Sequence, residues 1–158
     1  MDRSIIEKYL AGGDMLRRVI AGLTTADLQW IPPQDSTAGA WTINQVVIHI
    51  TDAEHAFIDR IKRIIAMDNP VLLAWDENKY TERLHYEAQS ADDATIIFNL
   101  NRRQLTKVLN QLPDADFERA GQHNERGRQT LVDVLGFANW HLDHHLKFIE
   151  AKRKLLAK

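Results

Sequence analysis

Apolar residues recur along this chain three and four positions apart, in four long stretches divided by polar connections that carry glycine and proline. The first predicted helix runs from about Ser4 to Leu23, with Ile5, Ile6, Tyr9, Leu10, Leu16, Val19, Ile20 and Leu23 as its apolar positions. Gly12-Gly13 weakens its middle, at about 1 kcal/mol per glycine relative to alanine. Pro32-Pro33 and Ser36-Thr37-Ala38-Gly39 then interrupt the pattern. Thr42-Ile43-Asn44-Gln45 has the form of a capping box and opens a second helix, which continues through Ile50, Phe57, Ile61 and Ile65 to Asn69-Pro70. A third begins after Ser90, with Asp92 and Asp93 suited to its first turn, and stops near Leu112-Pro113. Thr130 caps the fourth, which ends in the basic run Lys152-Arg153-Lys154, as the helix dipole prefers.

No segment alternates with period two between turn residues, so no strands are expected. Four amphipathic helices of about 20 residues predict an all-α fold, a four-helix bundle forming one domain over residues 1–158. The long connections after the second and third helices, Pro70–Gln89 and Asp114–Gln129, allow helices that are not consecutive to pair.

The chain has no cysteine, which excludes disulfides, thiolate ligands and a cysteine nucleophile. Any metal must be held by His, Asp, Glu or water, which suits Zn²⁺, Ni²⁺, Mn²⁺ or Fe²⁺. A formal net charge of −2 supplies no phosphate-neutralising field, so nucleic acid is not an expected partner. Neither a signal-peptide core nor an apolar run long enough to span a membrane is visible, and a cytoplasmic location is expected.

Candidate chemistry lies in the fourth helix. His141 and His145 are four residues apart, so their imidazoles point the same way, one turn above the other. At about 100° per residue from Leu131, both fall within the apolar stripe of Leu131, Val134, Leu135, Ala138, Leu142 and Ile149. Two imidazoles on a buried face need partners, because an unpaired buried polar group costs about 1–3 kcal/mol. A divalent metal would satisfy both, and so would ordinary hydrogen bonds to carbonyls or carboxylates. His49 lies at the edge of the second helix's apolar stripe and would complete a three-histidine set with open positions, the pattern of a catalytic rather than a structural site. His55 points outward, and His85 and His123 fall in connections.

Glu54 sits in the middle of the second helix's apolar face and calls for a buried partner; Arg102, at the edge of the third helix's stripe, is the expected one. Asp52 is placed to support His49 from behind, or to stand in solvent. Trp75 and Tyr80 are candidates for a substrate wall or for capping the bundle core. His144, beside the two helical histidines, is the candidate for an acid–base group.

With these residues in view, the chain resembles the DinB/YfiT-like superfamily of four-helix metalloproteins. The resemblance rests on Leu28-Gln29-Trp30 with Pro32-Pro33, on Trp41-Thr42 through Val46 to His49 with Asp52-Ala53-Glu54, on Gly127-Arg128-Gln129-Thr130-Leu131, and on His141-Leu142-Asp143-His144-His145. It implies that His49, His141 and His145 bind a divalent metal, most often zinc or nickel, in a homodimer acting on a small molecule. Members of the family are commonly described as metal-dependent hydrolases. Related branches join a low-molecular-weight thiol such as bacillithiol or mycothiol to electrophiles, or isomerise maleylpyruvate with a thiol cofactor. The expected function is therefore activation of water or of a thiol at a three-histidine centre. The alternative is a non-enzymatic, metal-stabilised dimeric binding or stress-response module, and a metal-free interaction protein is the third option.

Overall fold

Each long apolar stripe finds its partner in another, and the computed structural model, which describes residues 1–158, is built from that pairing. Its helices are α1 (Ser4–Ile20), the short α2 (Thr25–Gln29), α3 (Ile43–Ala66), the short α4 (Glu77–Arg83), α5 (Ala91–Leu109) and α6 (Leu131–Leu155). Helices α1, α3, α5 and α6 form the four-helix bundle. Side-chain caps fix where the long helices start. Thr42 and Gln45 close a reciprocal capping box at α3, with bonds of 3.1 and 2.9 Å. Thr130 and Asp133 do the same at α6, and Ser90 caps α5 through the Asp93 amide.

The first helix ends three residues before the predicted Leu23. Gly22 turns the chain at φ +78°, and Thr24 then forms a capping box with Asp27 that starts α2. These local signals outweigh the apolar Leu23. The expectation of no strands is also corrected. Val71–Leu72 (β1), Ala120–His123 (β2) and Gly127–Thr130 (β3) make a small sheet in the order β1-β2-β3, parallel then antiparallel. Strands of two and four residues are too short for an alternating pattern to register. Glycine replaces the side chain that would have shown it: a Cβ on Gly121 would lie 2.7 Å from the Pro70 carbonyl oxygen. Gly127, at φ +74°, completes the three-residue hairpin turn between β2 and β3.

Helix α1 packs on α5 and α6, and α3 packs on the same two, so α1 and α3 face each other across a diagonal. The core is split into two apolar clusters. One holds Ile6, Tyr9, Phe57, Ile61, Leu105 and Leu135 among others; the second holds Leu16, Val47, Ile50, Phe98, Leu142 and Ile149. Between them lies a polar layer where Arg102 of α5 meets all four helices. Its guanidinium donates to Glu54 on α3 at 2.9 and 3.1 Å, to the Tyr9 carbonyl on α1 at 3.2 Å, and to the Ala138 carbonyl on α6 at 3.2 Å. The Tyr9 hydroxyl donates to the other Glu54 oxygen. The expected Glu54–Arg102 pair is thus present and fully buried. The same layer accounts for Gly12, whose absent Cβ would meet the Arg102 guanidinium and lie 2.7 Å from Leu142. No helix is long and apolar enough to cross a membrane.

Candidate metal centre

His49 projects from the second turn of α3, and His141 and His145 from consecutive turns of α6. Because α3 and α6 pack side by side, the three rings meet. His49 Nε2 is 3.1 Å from Nε2 of His141 and 3.1 Å from Nε2 of His145. Ring nitrogens of all three lie within 4.8 Å of one another. His49 is wholly buried rather than at an edge, because Trp75 stacks on its ring at 5.5 Å and Trp41 meets it edge-on at 5.0 Å.

Burial strips hydration from these rings and disfavours their charged forms. It lowers His49 to about 4, His145 to about 3 and His141 to about 2; for the α6 pair, repulsion among the histidines pushes the same way. All three imidazoles are therefore neutral at pH 7, each with one N–H and one lone pair. A single proton on the His49 Nε2 cannot serve both contacts well, whereas a cation can accept all three lone pairs. Neighbouring donors about 2.0–2.1 Å from a tetrahedral ion stand about 3.3 Å apart, so the 3.1 Å spacings suit such an ion. The donor set fits a divalent cation of borderline softness.

Of the two readings of Asp52, support of His49 from behind is not the one found. His49 Nδ1 is buried without a hydrogen-bond partner. Asp52 instead accepts a 2.5 Å bond from the Tyr86 hydroxyl and lies 3.8 Å from His55, which is exposed as expected. His144 stacks on Trp140 at 4.9 Å and borders neither of the two cavities that reach the histidines. The carboxylate nearest the cluster is Glu77, at the start of α4, with an oxygen 3.9 Å from His49 Nε2. Trp75 packs at the edge of one apolar cluster, as the core-capping expectation had it, while covering His49; Tyr80 meets it edge-on at 4.8 Å.

A cleft of about 520 Å³ opens beside His141. Phe57, Phe137, Trp75 and Glu77 line it, together with His123 and Arg126 from the β2–β3 hairpin. Arg60 also lines it, half of its guanidinium spent on the Leu73 carbonyl at 2.6 and 3.2 Å. Sequence reasoning missed Glu77, Arg60, His123 and Arg126. Only Arg60 carried a signal: it follows His49 by eleven residues, which returns it to the same helical face.

A family model described as the DinB superfamily matches residues 9–149. A protein of Oceanobacillus iheyensis, provisionally named a metal-dependent hydrolase, is 32% identical over 119 residues, covering 74% of this chain and 69% of that protein. A Bacillus mycoides protein of the same provisional name is 29% identical over 118 residues, with 75% and 68% covered. The solved structure of YfiT from Bacillus subtilis, described as an unusual four-helix bundle, superposes with a TM-score of 0.88 at 22% identity, covering 98% of this chain and 86% of that one.

Proposed function

The chain belongs to the DinB superfamily, and from that premise we propose that it is a divalent-metal-dependent hydrolase whose ion is held by His49, His141 and His145. The observation that carries this is the convergence of three neutral, buried imidazole nitrogens beside an open cleft. A divalent ion held there would lower the pKa of a coordinated water toward about 7 and polarise a carbonyl in reach. The chain's own residues do the rest. Trp41 and Trp75 shield His49 from solvent and fix its ring. Glu77, exposed to the cleft, takes up and returns the proton of the attacking group, the part first considered for His144. Phe57 and Phe137 give the substrate an apolar surface.

Transfer of a low-molecular-weight thiol to an electrophile is the second reading, favoured by one feature. A smaller cavity of about 180 Å³, bordered by Trp41, His145, Phe148 and Lys152, reaches the histidines without passing through the main cleft. Two approaches to one centre suit two reactants.

Metal content, measured by elemental mass spectrometry on untagged protein beside a His141→Ala/His145→Ala variant, tests the centre. About one divalent ion per chain in the parent and none in the variant supports it. No uptake of Zn²⁺ or Ni²⁺ by either overturns it. Ester cleavage by the loaded protein with and without added thiol then separates hydrolysis from transfer.

A further inference from the structure

The cleft beside His141 holds two guanidinium groups that make no ion pair. Arg60 and Arg126 both line it, and neither has a carboxylate oxygen within ion-pairing distance. Acidic side chains line the same cleft without an ion pair to either arginine: Asp76 caps α4 and pairs with Lys79 at 3.2 Å, Glu77 lies nearest His49, and Glu125 attracts Arg60 from beyond ion-pairing distance. Arg60 and Arg126 repel each other across the cleft, so an anion that binds between them relieves that repulsion.

The remaining donors are arranged to match. His123 is 5% exposed, and its Nδ1 accepts from the backbone amides of Glu125 and Arg126 at 3.2 and 3.3 Å. That fixes the tautomer with the proton on Nε2, which has no hydrogen-bond partner in the protein. Arg60 is held by the Leu73 carbonyl and is itself only 6% exposed, so its fork is ordered before any ligand arrives. Arg126 lies over the Phe137 ring at 4.7 Å and Arg60 near the Phe57 ring at 5.9 Å; both rings also pack on His141, at 6.3 and 5.5 Å. Each guanidinium thus stands one aromatic ring away from the histidine centre.

We propose that Arg60, Arg126 and His123 form an oxyanion subsite that selects small substrates carrying a carboxylate or phosphate one ring's breadth from the bond acted upon. The subsite rests on the proposed function for what happens at the other end of the cleft, but binding of the anion itself does not need the metal. Planar guanidinium groups match both oxyanions by paired N–H donors, and a cleft of about 520 Å³ takes a molecule of metabolite size.

The test is titration of inorganic phosphate and of benzoate into chelator-treated and Zn²⁺-loaded protein, followed by the arginine Nε–H signals in NMR. Parent, Arg126→Ala and Arg103→Ala proteins are compared; Arg126 and Arg103 are both exposed, so neither change threatens the fold. Expected is saturable binding in both metal states that shifts the Arg60 and Arg126 signals and weakens about tenfold or more in Arg126→Ala but not in Arg103→Ala. Binding seen only with Zn²⁺ and unchanged in Arg126→Ala would overturn the subsite while leaving the metal centre standing. No saturable binding of either anion in either state would also overturn it. Binding in the chelated protein by a chain that takes up no metal would keep the subsite and remove the hydrolase.

Discussion

Arg102 Nη2 stands 2.9 Å from Glu54 Oε2 at the centre of the bundle, with both side chains 1% exposed and neither within reach of water. An ion pair so deep is costly to form, since each charge loses its hydration, and still more costly to break by halves. Here the remaining hydrogen-bonding capacity is spent on the Tyr9 hydroxyl and the Tyr9 and Ala138 carbonyls, so one charged pair sets the relative height of four helices.

Removing one partner should therefore hurt far more than removing both. Glu54→Leu is expected to cost about 3–5 kcal/mol by leaving a buried guanidinium alone. Glu54→Leu with Arg102→Met should cost clearly less than the sum of the single changes. Urea denaturation of the four proteins measures this, and additive losses would show that the two side chains act separately.

Gly12 and Gly13 look alike in sequence but not in their surroundings. Alanine at an open helical glycine gains about 1 kcal/mol. At Gly12 the new methyl would collide with Arg102 and Leu142, whereas at Gly13 it would meet Asn99 at 3.4 Å. Gly12→Ala is expected to lose about 1–3 kcal/mol and Gly13→Ala much less. Thermal melts that rank the two the other way would contradict the close approach at Gly12.

Acid should unfold the chelator-treated protein through its histidine cluster. The unfolded chain takes up protons near pH 6.5, while in the native state His49 resists until about 4, His145 until about 3 and His141 until about 2. The unfolded state thus binds more protons across that window, and stability falls as pH drops below 6.5. The slope is at most about 1.4 kcal/mol per pH unit for each histidine, and less for the half-buried His145. Saturating Zn²⁺ should add stability at pH 7 and lose it as protons compete. A chelated parent with the same acid slope as a variant with glutamine at all three positions would refute the assignment.

Lys152 should behave in the opposite pH range. Its side chain is almost wholly buried with no carboxylate beside it, donates to the Ala38 carbonyl, and is lowered to about 8 by lost hydration. Between pH 8 and 10.5 the unfolded chain keeps a proton that the native lysine has released, so this group makes stability rise with pH. Lys152→Met should abolish that rise, measured as the difference between parent and variant in urea denaturation at pH 7.5 and 9.5.

What was legible in the sequence follows from how far each feature depends on one helix. His141, His145 and Glu54 could be placed by phase alone, because α6 and α3 run for 25 and 24 residues with capped starts that set the register. The Glu54–Arg102 pair followed from the need of one buried charge for another. The cleft could not be read this way. It needs the hairpin at Asn124–Arg126 brought against Phe137, and Trp75 laid over His49 by a two-residue strand that the Pro70 carbonyl and Leu72 anchor to β2. The β1–β2 contact joins segments about 50 residues apart through backbone bonds, which leave no periodic trace in side-chain type. Asp52 stayed open between two readings for a related reason: its partner, Tyr86, belongs to a single turn within a connection.

The diagonal placement of α1 and α3 also dictates a timetable. During synthesis α1 emerges first, yet the helices that cover its apolar face are α5 and α6, whose first residues come 71 and 111 positions after the last of α1. At a ribosomal pace of about 5–20 residues per second, that face stays uncovered for several seconds, in reach of chaperones and of other nascent chains. Helix α6, the last of the four bundle helices to appear, also brings two of the three histidines, so neither a closed bundle nor a complete cluster can precede its emergence.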